Sequence, residues 1–419
     1  MPMTTPVTTA PAALSAAESD PVARGMMRGF PPPADRTIAF ADGSFRSFPE
    51  FRWAWSNIRQ LVPTSNVWRG DGPVCVLPRD EQDLGTVRST TMDGRPMTFD
   101  QALAETYADG ICVLHRGRIV YERYFGALKA HKQHIAMSVT KSFVGVLAGM
   151  LVADGAVDPA APVTLYVPEL AASAFGDATV RQVMDMTTGL RYTEVYTDAN
   201  SDVWGLRRAN GMAARDPDYQ GATTLYDFLV TQQKQGEHGQ VFAYKTVNTD
   251  VLAWIVRRAS GQSLSDLLSS RIWSKLGAEE DAFFSVDSIG TESGGGGLNT
   301  TLRDLARFGE CLRNRGHFNG RQIIQAEAIA DIERGGDPAQ FKPAGYATLP
   351  GWSYRNMWWV SHNEHGVIMA RGIHGQSIYV DPKAEMVIVR YGSHPQAGNV
   401  ANDPVTLPAF MAVAKALIG

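Results

Sequence analysis

Segments of strand character sit near both ends of this chain and helical ones lie between them, which leaves few ways to build a single sheet. The stretch "GICVLHRGRIVYERYFG", from Gly110, reads as two apolar, β-branched runs around a turn at His115-Arg116-Gly117, where Gly117 can supply a positive φ. Far along the chain, "GVIMARGIHGQSIYVDPKAEMVIVRYG" alternates in the same way on either side of Asp381-Pro382. Between them, "TVRQVMDMTTGL", "TLYDFLVTQQ", "NTDVLAWIVRRASG" and "SLSDLLSSRIWSKLG" carry helical spacing with Gly stops, and "TTLRDLARFGECLRNRG" begins another helix after the run Gly294 to Gly297. "VTLPAFMAVAKALIG" returns to helix at the end. Strands so far apart share a sheet only if the intervening chain folds beside it. The expectation is an α+β fold: an antiparallel sheet of N- and C-terminal strands flanked by helices, with an inserted, mostly helical domain and a cleft where the two meet.

In residue terms, 51–155 and 290–419 form the discontinuous sheet-bearing domain and 156–289 the helical one. Residues 1–50, which begin with a tract rich in Pro, Thr and Ala, form a lead-in that is partly disordered or wrapped on the surface. With 44% hydrophobic residues the chain has ample material for a large core. A formal charge of -4 gives no general attraction to phosphate backbones or anionic lipid, so neither nucleic acid nor membrane is an expected partner. No apolar run approaches the roughly 20 residues of a membrane span, and the N-terminus lacks the basic start and apolar core of a signal peptide. Cys75, Cys112 and Cys311, three residues at wide spacing, indicate neither a disulfide framework nor a metal site. A reducing, cytoplasmic location fits best. A homodimer is one of the assemblies the sequence allows.

The chemistry concentrates in "AMSVTKSFVGVLAGMLVADG", from Ala136. Ser138 stands at the start of an apolar helix, where free backbone N–H groups favour an oxyanion beside its own Oγ. One helical turn puts Lys141 on the same face. A neutral amine there could take the serine proton, provided burial lowers the usual lysine pKa. By itself Ser-x-x-Lys is a weak signal, expected about once by chance in a chain of this length. In "VFAYKTVNTDVLAWIVRRASG", Tyr244, Thr246 and Asn248 alternate just before a helix, so two hydroxyls and an amide could point together into the cleft. A tyrosine near a lysine cation can have its pKa lowered and shuttle protons between nucleophile and leaving group.

Ser138-Val-Thr-Lys141, then Tyr244-Lys-Thr246, then a Gly-containing strand near the C-terminus, in that order, resembles the serine β-lactamase and penicillin-recognising family, which includes D-alanyl-D-alanine carboxypeptidases and esterases. "QVMDMTTGL" and "LRDLARFGECLRNRG" resemble supporting segments of that family. Within it, "MSVTKS", "VTLYVPEL", "NTDVLAWIV" and "GIHGQSIYVDP" are similar to the 6-aminohexanoate-dimer (nylon-oligomer) hydrolases, over roughly Phe51 to the C-terminus. The resemblance implies Ser138 as nucleophile, Lys141 and Tyr244 as proton-handling partners, and the backbone N–H groups of Ser138 and Ile373 as oxyanion hole. Tyr196 aligns with a tyrosine that contacts the substrate's amide nitrogen, and Thr246, Asn248, Gly372 and His374 join it as substrate-binding candidates.

Two departures bear on the substrate. The tripeptide Tyr-x-Asn is Tyr244-Lys-Thr246 here, and the strand motif Lys-Thr-Gly is Ala370-Arg371-Gly372. β-Lactam recognition leans on that Lys-Thr pair, so hydrolysis of an open-chain amide or ester is favoured. Gly372 leaves room for close approach to the strand. Nothing nearby supplies His374 with an acid, which gives it a supporting or structural role. "HKQH" (His131, His134) and "HNEH" (His362, His365) lack zinc spacing, and Gly294 to Gly297 is no phosphate loop but permits close backbone approach. No metal or organic cofactor is implied. The reading is a serine amide hydrolase acting on a small-molecule amide or ester. The alternatives are a carboxylesterase or D-amino-acid peptidase of the same fold, and a catalytically idle penicillin-fold binding protein.

Overall fold

In the computed structural model, which describes residues 14–419, the expected hairpin forms from β1 (Ala108–His115) and β2 (Arg118–Tyr124). Its turn takes left-handed φ values, 50° at Arg116 and 76° at Gly117, which suit the twist of the flanking strands. The C-terminal strands are β3 (Ser353–Arg355), β4 (Trp358–Val360), β5 (Ile368–Gly372), β6 (Gln376–Asp381) and β7 (Met386–Gly392). They join the hairpin in one seven-stranded sheet of order β3-β4-β5-β6-β7-β1-β2. The distant parts meet at β7 and β1, which pair antiparallel with Ile388 opposite Val113.

Around it lie α1 (Val139–Ala153), α2 (Asp202–Ala209), α3 (Val247–Ser260), α4 (Leu302–Arg313), α5 (Ala326–Arg334) and α6 (Asp403–Ile418). All six residues of β6 and all seven of β7 are buried, so the sheet is covered on both faces. Neighbouring residues of β6 reach opposite covers, as the two-residue period of a strand requires. Gly309 of α4 sits so close to Ile378 and Val387 that a Cβ there would lie 3.1 and 2.6 Å from their methyl carbons. Tyr379 meets Phe410 of α6 edge-on at 5.5 Å. Helix α1, nearly all apolar and buried, packs on α3, α5 and β5.

A second sheet of four short strands was not foreseen. It runs Thr64–Val67, Ala282–Ser285, Leu298–Thr300, His134–Ile135, all antiparallel. Ala282–Ser285 falls inside the stretch expected to be mostly helical, and its partners are so distant in sequence that no local pattern announces the pairing. Several central helices are also short, such as Val180–Met184 and Leu225–Leu229.

Within 14–50 the lead-in is docked. Met26, Ile38 and Phe45 share an apolar cluster with Phe51, Trp55, Ile135 and Phe283. Arg52 ties it down, donating from Nη1 to Ser19 Oγ at 2.8 Å and from Nε to Ser393 Oγ at 2.9 Å. Residues 1–13, the remainder of the expected lead-in, lie outside the described residues. No helix among the described residues is long and apolar enough to cross a membrane.

Candidate active site

The short strand His134–Ile135 runs straight into the turn that presents Ser138. Met137 adopts φ 48°, a left-handed value costly for a side-chain-bearing residue, and the chain bends there from the small sheet into α1. Ser138 has helical dihedrals at the N-cap of α1, yet its side chain caps nothing. Its hydroxyl instead accepts a hydrogen bond from Lys141 Nζ at 2.9 Å. The same Nζ donates to the carbonyl of Gly295. Gly295 comes that near because it has no side chain: a Cβ would stand 2.4 Å from Thr246 Cγ2. The glycine run is thus part of the wall behind the lysine.

Lys141 is 1% exposed. Burial pulls its pKa down to about 8, against the opposing pull of Glu194 and Asp250, while Arg207 pushes it further down. About one molecule in ten would then carry a neutral Lys141 at pH 7. Asp250, on the first turn of α3, accepts from the Gly295 N–H at 2.9 Å and is itself raised to about 6 by burial. Sequence reasoning missed it, although an aspartate in the apolar run "NTDVLAWIV" was a usable signal.

Tyr244 is brought to the same place, its ring centroid 5.3 Å from Lys141 Nζ. The expected lowering of its pKa does not occur. Burial and then the Glu194 charge drive the phenol well above its ordinary value, with a hydrogen bond to Ser138 acting the other way. The reason is that the phenol is itself fully buried, and desolvation together with the Glu194 carboxylate disfavours a phenolate more than its surroundings favour one. Tyr244 therefore remains a protonated donor at any ordinary pH.

Glu194 is the second residue the sequence did not single out. Its Oε1 accepts from Tyr196 Oη at 2.5 Å and from Thr246 Oγ1 at 2.7 Å, and its Oε2 from the Thr246 N–H at 2.8 Å. One carboxylate thus fixes two of the five substrate-binding candidates, Tyr196 and Thr246. Because the Tyr196 hydroxyl spends its proton on Glu194, its oxygen is left as an acceptor towards the cleft, and burial keeps the phenol protonated.

Gly372 ends β5 against the serine turn, where a Cβ would lie 2.9 Å from Ala136 O and 3.0 Å from Ser138 N. This closeness seats Ile373 beside Ser138, and both line the cleft. His374 also borders it, at φ 64°, with its ring against Trp55 at 4.5 Å and Phe51 at 5.2 Å. Its Nδ1 donates to the His394 carbonyl at 2.7 Å, and burial drops its pKa to about 3. It is a neutral ring held by a carbonyl rather than by an acid. Asn248 is the exception among the candidates. Fully buried in the first turn of α3, it accepts from Thr188 Oγ1 at 2.6 Å and donates to the Lys245 carbonyl at 3.1 Å. The onset of the helix rotates it away from Thr246, so it braces the turn and does not reach the cleft.

The cleft has two compartments, of about 100 Å3 and about 420 Å3, whose common wall is Ser138, Tyr196 and Ile373. The smaller is bordered by Arg46, Arg207 and His374, the larger by Tyr244, Glu194 and Arg371. Arg371 pairs with Asp403 through Nη2 and rests on Trp359 at 4.9 Å, while its Nη1 is buried without a hydrogen-bond partner. Among the described residues no group of three or more His, Cys, Asp and Glu could hold a metal ion.

A seven-stranded antiparallel sheet with helices on both faces, and this serine set against the end of its interior strand β5, is the arrangement of a serine hydrolase of the β-lactamase-like fold. Residues 98–406 match the beta-lactamase family, so the chain belongs to it. It is 36% identical over 353 residues to the 6-aminohexanoate-dimer hydrolase of Paenarthrobacter ureafaciens, covering 84% of this chain and 88% of that one. A solved structure from Bacillus anthracis, described as a candidate 6-aminohexanoate-dimer hydrolase, superposes with a TM-score of 0.84 at 31% identity, over 92% of this chain and 99% of its own. A family VIII carboxylesterase shares the fold at a TM-score of 0.54 and 16% identity, over 75% of this chain and 96% of that one.

Proposed function

We propose that this hydrolase cleaves open-chain amide bonds through an acyl-enzyme on Ser138, in the manner of a 6-aminohexanoate-dimer hydrolase. The observation that carries this reading is the 2.9 Å contact between Ser138 Oγ and a buried Lys141 whose pKa is about 8. A lysine so depressed is a competent base near neutral pH. The neutral Nζ takes the Oγ proton as the oxygen attacks the substrate carbonyl, and the backbone N–H groups of Ser138 and Ile373 receive the oxyanion. Tyr244 gives its proton to the departing nitrogen and is replenished from Lys141. Water then cleaves the acyl-enzyme by the same transfers reversed. Of the two candidates for formal base, the opposite pKa shifts of lysine and tyrosine favour Lys141, with Tyr244 as the acid. Free thiols at Cys75, Cys112 and Cys311 support a reducing, cytoplasmic setting.

An amide nitrogen leaves only when protonated, so an amidase needs a donor there and a partner that orients the nitrogen. The Tyr196 oxygen can accept the substrate N–H. Tyr196→Phe is expected to lower amide turnover about ten- to a hundredfold while sparing a p-nitrophenyl ester, whose leaving group departs without protonation. Equal loss on both substrates would favour a carboxylesterase on the same scaffold, and would reduce Tyr196 to shaping the pocket.

The base also fixes a pH dependence. Activity requires neutral Lys141, so kcat/KM should rise with pH and level off above about 8. Asp250 raises the lysine pKa, so Asp250→Asn should move that rise to lower pH, and Asn can keep the Gly295 hydrogen bond. A pH profile of the variant that stays in place or moves upward would exclude Lys141 as the titrating base.

A further inference from the structure

The compartment opposite Tyr244 carries two guanidinium groups and no carboxylate. Arg46 comes from the docked lead-in and Arg207 from α2, and neither Asp nor Glu lines the space they border. Both rest on one indole, 5.1 and 4.9 Å from the Trp204 ring centroid, and Arg207 also lies 5.0 Å from the ring of Tyr196. Among the described residues neither makes a salt bridge. Arg46 Nε and Nη1 are buried without a hydrogen-bond partner. Two like charges held together, with buried N–H groups unmet, cost free energy that an incoming anion would recover. The charge is felt around the cavity: burial is the main cause of the lowered pKa values of Arg46, Lys141 and His374, and Arg207 lowers each of them further.

We infer that the Arg46–Arg207 compartment is a carboxylate subsite, so that the preferred substrates are amides or esters of an acyl chain ending in a carboxylate, as in dicarboxylic acid half-amides. The assignment to the acyl side rests on the proposed mechanism. Tyr244, the proton donor to the leaving group, borders the other compartment and not this one. The leaving amine or alcohol therefore departs on the Tyr244 side, and the acyl chain extends from Ser138 towards the arginines. A chain ending in an ammonium, such as 6-aminohexanoyl, would meet two like charges there, so the likeness to the 6-aminohexanoate-dimer hydrolases extends to the open-chain amide bond cleaved and not to the end group of the acyl chain.

Three p-nitrophenyl esters with one leaving group and nearly equal chains test this: the monoester of adipic acid, the hexanoate and the 6-aminohexanoate. The expected order of kcat/KM is anionic, neutral, cationic, with about ten- to a hundredfold between the first two. Arg46→Gln and Arg207→Gln should each shrink the anionic-to-neutral ratio about tenfold. Faster turnover of the neutral or cationic ester, or a ratio unmoved by both substitutions, would overturn the subsite. Calorimetry of adipate binding to the Ser138→Ala protein reads the pocket apart from catalysis. Saturable binding that Arg207→Gln weakens is expected even if no ester is turned over, an outcome that would refute the hydrolase mechanism alone. No binding of adipate would refute the subsite.

Discussion

Ser138→Ala is expected to cut turnover about 10^4-fold or more, the scale on which removal of a catalytic serine acts in other serine hydrolases. Its effect on stability should stay near or below about 1 kcal/mol. The reason for the disparity is local. The serine occupies the N-cap of α1 without capping it, so the helix loses no hydrogen bond with the hydroxyl. Lys141 keeps its second acceptor, the Gly295 carbonyl. Burial of the residue, at 8% exposure, does not change much when one oxygen is removed. Parallel measurement of ester and amide rates and of the thermal midpoint checks both halves. A variant that melts far below the parent would show that the hydroxyl serves the fold, contrary to the geometry at the helix start.

The second large effect belongs to Lys141 and Tyr244 together. Lys141→Ala and Tyr244→Phe are each expected to cost about 10^2- to 10^4-fold, the range for a lost general acid or base. The double variant should cost much less than the product, because one proton passes through both residues and a broken chain cannot be broken twice. Lysine takes the proton from Ser138 and tyrosine delivers it, so neither has value to the leaving group alone. Effects that multiply would separate the residues into independent roles. The pH profile distinguishes them further: Tyr244→Phe should retain the rise towards about 8, whereas Lys141→Ala should abolish it.

Chemistry encoded within a few residues was legible in the sequence. Ser138 and Lys141 lie one helical turn apart, so their contact needs only the helix that the apolar run "SFVGVLAGMLV" specifies. The β1–β2 hairpin was readable for the same reason, its turn and both strands being contiguous. What depended on distant approach was hidden. Glu194 acts because a loop after Leu190 meets the start of α3, and nothing in "RYTEVYTD" says which side chain Thr246 will find. The pairing of Thr64–Val67 with Ala282–Ser285 has no local signature at all. Arg46 lay in a tract that composition marked as a loose lead-in, although Phe40, Phe45 and Phe48 within it were a sign that it docks. Asn248 lies two residues past Thr246 and already inside α3, where helix dihedrals replace strand alternation and its side chain meets Thr188 and Lys245. The Tyr244 pKa moves opposite to the sequence expectation because burial of the phenol, and then the Glu194 charge, set it, and neither is visible in the residues around Tyr244.

The central claim is that the acyl group passes through Ser138. The direct measurement is to mix the protein with excess p-nitrophenyl ester or a fluorophosphonate, quench early, and locate the adduct by peptide mass spectrometry. The account requires a single covalent adduct on Ser138, absent from Ser138→Ala, with a burst of p-nitrophenol matching the labelled sites. An adduct on any other serine, Ser142 or Ser293 being the nearest in chain or cleft, or turnover with no covalent intermediate, would contradict it.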